Sequence, residues 1–170
     1  SSWVYPLYVP TSKDINPIRS SILKHNSVIL VESIGDLLNL HQHGFKNVLV
    51  LFGLSMGSKL LSSLVSLNID KVFICLNNDC GNDVNRGEQA SAKIYLRLLN
   101  FFNKEKIFIN LPTKKDFGDM DGEDFIQWEK RFKSLNSEKT KDYIIKIART
   151  IEVDSPLPAY LKSNLELLNG

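Results

Sequence analysis

The side chains that could do chemistry fall into three polar clusters: Glu32 with Asp36, Asn77-Asn78-Asp79, and Lys115-Asp116 with Asp119 just beyond. Each follows a short apolar run, Val28-Ile29-Leu30-Val31, Val72-Phe73-Ile74-Cys75-Leu76, or Ile107-Phe108-Ile109 leading through Leu111-Pro112. Carboxylates gathered in one place repel and raise one another's pKa unless a cation sits among them. An oxygen-ligated site of the Mg²⁺ type is therefore the first chemistry to consider. An acid such as Glu32 that ends a buried run needs a partner. Asp36 has two readings, as a second acid of the site or as part of a helix cap, since Ser33-Ile34-Gly35-Asp36 has capping-box spacing. Residues 77 and 79 alternate and can face the same cavity as Glu32. Asn77 offers an amide oxygen without charge, a weaker ligand than a carboxylate. The same stretch through Asp83 also reads as a turn, with Asp83 capping the helix that follows. Asp116 is raised above a solvated loop by its place after a strand.

Other candidates carry less. Gly53-Leu54-Ser55-Met56-Gly57-Ser58-Lys59 lacks phosphate-loop spacing, because Lys59 does not directly follow the second glycine. It remains a turn into a helix N-terminus, a generic anion site. His41 and His43, two apart, do not share a helical face and read as surface residues. Cys75 lies inside an apolar run and Cys80 in the next loop, without metal-ligand spacing. No Ser/His/Asp or Cys/His nucleophilic arrangement has convincing support.

The elements that must position the acids follow from a fourth run, Val48-Leu49-Val50-Leu51-Phe52, and from what lies between the runs. Continuous β-branched runs suit strands buried on both faces of a parallel sheet. The intervening segments have helical periodicity, so the pattern is β-α-β-α-β-α-β. In such a sheet the strand ends open onto one edge, where ligands bind. The spacing predicts helices from Ser33 to a glycine stop at Gly44, over about 58–67, and over about 84–102. Residues 3–9 predict an edge-like strand because of Pro6, followed by a brief helix near 18–24. Acids at Asp119, Asp121, Glu123 and Asp124 before Phe125, Ile126 and Trp128 suit the first turn of a helix. Trp128, Phe125 and Phe132 should pack onto the core or near Trp3. Two more helices are expected over about 139–151 and 158–168.

The 170 residues, 43% hydrophobic, fit one domain with an appendage. A net charge of +2 gives no global basic field, so nucleic-acid contacts must be local. The two cysteines suggest a reducing compartment. No run approaches a membrane span and no signal peptide is visible. The chain opens Ser-Ser-Trp, as an excised piece of a longer protein would.

Taken together, these residues resemble the Toprim domain of primases, topoisomerases and some nucleases. Val28–Asp36 resembles its first motif, a Glu at a strand end with an Asp four residues on. Leu76–Gly81 resembles its Asp-x-Asp motif, with Asn77 in place of the first Asp and Ser33 in place of a usual glycine. Gly87-Glu88-Gln89-Ala90-Ser91, Leu111-Pro112 and Lys115-Asp116-Phe117-Gly118-Asp119 are most similar to the bacterial and phage primase branch. The resemblance implies an α/β Toprim fold with a four-stranded parallel sheet, divided as an N-terminal strand and linker helix (1–26), the Toprim domain (27–120) and a helical C-terminal extension (121–170). It implies the polymerising domain of a phage-type DNA primase, a nucleotidyltransferase making short RNA primers on single-stranded DNA in a bacterial or phage-infected cytoplasm. Glu32, Asp79 and Asp116 would be catalytic and hold Mg²⁺ or Mn²⁺, supported by Asp36 and Asn77, with Lys114 and Lys115 on phosphates. Implied partners are single-stranded template, nucleoside triphosphates and a replicative helicase, fused or separate. The alternatives are a metal-dependent Toprim nuclease and, because of Asn77, a catalytically weakened nucleic-acid-binding or assembly module.

Overall fold

A computed structural model describes residues 4–7, 17–53 and 55–170. Four strands, β1 (Ser27–Val31), β2 (Val48–Val50), β3 (Lys71–Ile74) and β4 (Ile107–Ile109), form one parallel sheet in the order β2-β1-β3-β4. The register pairs Ile29 with Val48 and with Phe73, and Phe73 with Phe108. All five residues of β1 are buried, as a central strand covered on both faces requires. Alternation then divides the core. Val28, Leu30, Val72 and Ile74 join helices α1 (Pro17–His25), α3 (Ser58–Ser66), α4 (Arg86–Leu98), α6 (Ser137–Asp154) and α7 (Ala159–Asn169) on one face. Ile29, Val31, Phe73 and Phe108 meet α2 (Ile34–Gln42) and α5 (Gly122–Lys133) on the other.

The C-terminal helices are part of both layers. Trp128 on α5 is fully buried, edge-on to Phe45 and Phe117, and its indole N–H donates to the Asn110 carbonyl at 3.0 Å. On the opposite face, Asn164 of α7 donates to the Leu96 carbonyl of α4 at 2.7 Å. Trp128, Phe125 and Phe132 therefore pack on the core; Trp3 lies outside the described residues.

Two expectations are corrected. Tyr5–Leu7, the described middle of the expected strand at 3–9, is a turn. The Tyr5 carbonyl accepts one bond from the Val50 N–H at 3.1 Å. Pro6 has no N–H with which to extend a ladder along β2. The helix expected from Val84 begins at Arg86, and its cap is Asn85, whose side chain accepts from the Glu88 N–H, rather than Asp83. An Asn three residues before a Glu satisfies the cap where Asp83 lies too early to reach it. The expected glycine stop after α2 is present, with Gly44 at φ +89°.

Candidate functional site

The chain leaves β1 for β2 on one side and returns to β3 on the other, so the crossover direction reverses between β1 and β3. Ligands in open parallel sheets bind at such a point, beyond the strand ends. Glu32 is the first residue beyond β1, and residues 77–79 leave β3 beside it. The Asn77 N–H donates to Glu32 Oε2 at 3.3 Å, tying the two strand ends together. Burial pushes the Glu32 carboxyl above its usual range, against the Asn77 bond, and the neighbouring carboxylates of Asp79, Asp36 and Asp116 push it further.

Asp79 is fixed by the start of α4. Its carboxylate accepts from the Gly87 N–H at 3.2 Å, and its own N–H donates to Asn85 Oδ1 at 3.1 Å. Gly87 is demanded by space: a Cβ there would lie 1.7 Å from the Asn77 carbonyl oxygen. A side-chain-free start lets α4 turn its positive end onto a carboxylate. Asn78 completes the loop, its N–H donating to the Lys115 carbonyl at 2.7 Å and its amide to the Pro112 carbonyl at 3.1 Å.

Asp36 is buried at 3% exposure on the first turn of α2. Its N–H donates to Ser33 Oγ at 3.2 Å, the backbone half of a cap. Its carboxylate accepts the Ser33 hydroxyl at 2.7 Å and the Phe117 N–H at 3.2 Å. Asp36 thereby holds the segment carrying Asp116 against α2. Burial raises the Asp36 pKa, the Ser33 and Phe117 bonds oppose that, and Asp116 adds to it. Asp116 itself caps a 3₁₀ turn over Phe117–Asp119, accepting from the Asp119 N–H at 2.9 Å. Lys114 and Lys115 are exposed on the same loop, and the Lys114 charge helps hold the Asp121 carboxyl low, behind the larger effect of the Asp124 N–H.

The structure thus brings Asp36, Asp79 and Asp116 within electrostatic reach of Glu32, beside the backbone of Asn77. Asn85 and Gly87 escaped notice as site residues in the sequence, although Asn85-x-x-Glu88 is a capping signal. His41 and His43 lie away from this group; His43 stacks on Phe125 with ring centroids 3.5 Å apart. Cys75 is buried, and burial pushes its thiol pKa up, as suits a core filler. Lys59, with Ser55 and Gly57, lines a separate cavity of about 520 Å³ beyond β2.

The donors here are hard oxygens, and mutual repulsion at Glu32 is what a cation would relieve. Among the described residues no three His, Cys, Asp or Glu side chains are grouped to hold a metal ion. The arrangement does not fit a cage made by protein alone. It fits the Mg²⁺ habit of one or two carboxylates, with water and substrate phosphates completing the shell.

A parallel four-stranded sheet with acids collected at its switch point is the arrangement that the Toprim resemblance implies. The Toprim-like family matches residues 29–121, and the chain belongs to that family. Within it the chain is of the DNA-primase type. The DNA primase of Rickettsia bellii is 36% identical over 99 residues, 57% of this chain and 16% of that protein. The RNA polymerase domain of Mycobacterium tuberculosis primase DnaG matches with a TM-score of 0.61 at 15% identity, over 86% of this chain and 48% of that one. The same domain in complex with a double-stranded DNA oligomer with a 6-nucleotide overhang matches at 0.55 and 14% identity, over 77% and 40%. These structural likenesses are likenesses of fold. The chain spans 16–18% of the length of the primases it matches.

Proposed function

We propose that the chain is the polymerising Toprim core of a phage-type DNA primase, which makes short RNA primers on single-stranded DNA in a bacterial or phage-infected cytoplasm. The observation carrying this reading is the meeting of Glu32, Asp79, Asp36 and Asp116 at the β1–β3 switch point. Glu32, Asp79 and Asp116 are the candidate holders of Mg²⁺ or Mn²⁺, one or two of them to an ion with water and substrate phosphates completing the shell, and with Asp36 and Asn77 supporting. When bound, the cation supplies neutralising charge to a nucleoside triphosphate. The chain's own contribution is orientation. The Asn77 and Gly87 N–H groups each hold one carboxylate, and Asp36 anchors the Asp116 segment through Phe117. Exposed Lys114 and Lys115 would meet phosphates of template or triphosphate. The primase reading brings a replicative helicase as partner, fused or separate. Among the described residues no helix is long and apolar enough to cross a membrane.

Asn77 favours a second reading, a module whose chemistry is weakened by one missing charge. The test is primer synthesis by the protein containing this chain, from nucleoside triphosphates on single-stranded DNA with Mg²⁺ or Mn²⁺. Glu32→Gln should nearly abolish synthesis while leaving the fold intact. Metal-dependent DNA cleavage without primer would assign the nuclease instead. A protein inert in both assays and restored by Asn77→Asp would assign the weakened module.

A further inference from the structure

Beside Asn78, on the β4 side of the strand-end edge, a cavity of about 390 Å³ lies between the end of β4, the end of α5 and the first turn of α6. That volume is within the range of small-ligand sites. Two cations line it, Arg131 and Lys139. The Arg131 guanidinium donates from Nε to Asn110 Oδ1 at 2.6 Å and from a terminal nitrogen to the Leu111 carbonyl. Both acceptors are neutral, and three of its five N–H groups are left over. Among the described residues neither Arg131 nor Lys139 has a carboxylate within ion-pair distance. Arg131 is solvent-exposed as a residue, and partial desolvation of its guanidinium holds its pKa below the ordinary value. The one acid on the wall, Glu88, already accepts the Tyr143 hydroxyl. Ile109, Leu111 and Leu135 supply an apolar side.

We infer that this cavity is a second ligand site, built without the four carboxylates Glu32, Asp36, Asp79 and Asp116, which takes a free nucleotide with its phosphate on Arg131 and Lys139. A planar guanidinium with unused N–H groups suits two phosphate oxygens at once. The first turn of α6 lines the same space and adds the positive end of a long helix. The apolar side offers a surface for the base. This assignment stands apart from the primase reading, since it uses none of the acids at the switch point.

The test is nuclear magnetic resonance of the isotopically labelled chain, titrated without divalent metal with inorganic phosphate and separately with adenosine monophosphate. Shifts should centre on the Arg131 Nε–H and the amides of Lys139 and Thr140, and the nucleotide should saturate below the phosphate. Lys139→Ala should weaken nucleotide binding about fivefold or more, whereas Lys146→Ala, farther along α6, should leave it unchanged. Lys139 is exposed, so its loss leaves the core untouched. No saturable shift by about 10 mM nucleotide would overturn the inference. So would equal shifts with sodium chloride at matched ionic strength, or shifts centred on Lys114 and Lys115.

Discussion

Replacing Gly87 with alanine tests whether the start of α4 really abuts the strand end that carries the site. The added Cβ would lie 1.7 Å from the Asn77 carbonyl oxygen and 2.7 Å from its carbon, where ordinary contact begins at 3.4 Å. Both partners are backbone, so no rotamer change relieves the clash, and the helix must back away by half that contact distance. Overpacking of this kind costs about 1–3 kcal/mol. Withdrawal also stretches the 3.2 Å bond from the Gly87 N–H to Asp79, and hydrogen bonds to charged groups contribute about 1.5–3 kcal/mol. Alanine's better helix propensity returns up to about 1 kcal/mol. The balance is a loss of about 2–4 kcal/mol, or roughly 5–15 °C in Tm for a chain of this size. Urea unfolding followed by circular dichroism measures it directly. Gly122→Ala is the control: it starts α5 with nothing within 4 Å of its added Cβ, and should be neutral or slightly stabilising. If Gly87→Ala stays within about 0.5 kcal/mol of the parent, the close approach and the account of Asp79 built on it are wrong.

Glu32 and Asp36 both have folded pKa values above their ordinary ones. The folded state then binds those protons more tightly, so this contribution to stability is complete below the unfolded values and lost as pH rises through the folded ones. Glu32→Gln should flatten that decline and leave Tm at neutral pH equal or higher; a lower Tm at pH 7 would contradict the repulsion. Asp36→Ala strips the buried Phe117 N–H of its acceptor and should cost about 1–3 kcal/mol, with faster amide exchange at Phe117. Asp36→Asn keeps an oxygen for that N–H and should cost less, and unchanged Phe117 protection in the alanine variant would refute the anchoring role.

The sheet was legible because its strands are buried on both faces and so write themselves as unbroken apolar runs. Val28–Val31 and Val72–Ile74 needed no tertiary information. The placing of acids at strand ends followed from topology alone, since parallel strands share one ligand edge. What could not be read was local competition and close approach. Asp83 and Asn85 are both competent caps, and only the helix start chooses between them. Tyr5–Leu7 has strand-like composition, yet Pro6 leaves the backbone without a donor at the point where pairing would continue. The meaning of Gly87 was hidden because a glycine near a helix start is ordinary until the Asn77 carbonyl is found against it. Asp36 had two readings, and the structure gives its atoms two tasks: its N–H completes the cap with Ser33, while its carboxylate reaches Phe117, eighty-one residues on.

The same contacts explain why Asn77 is a tolerable neighbour for so much negative charge. Glu32 is already pushed toward protonation by burial and by three carboxylates, and the Asn77 N–H opposes that push. A carboxylate at 77 would set another negative charge on the residue whose backbone supplies this relief. With the amide, the fold is spared that repulsion, and a cation loses one charged ligand. Stability without metal and affinity for metal therefore pull residue 77 in opposite directions. The Gly87–Asn77 contact is indifferent to this choice, because it involves only the Asn77 backbone. Asn77→Asp should consequently leave the meeting of β1, β3 and α4 undisturbed, and in the proposed site it would raise cation affinity while keeping that geometry.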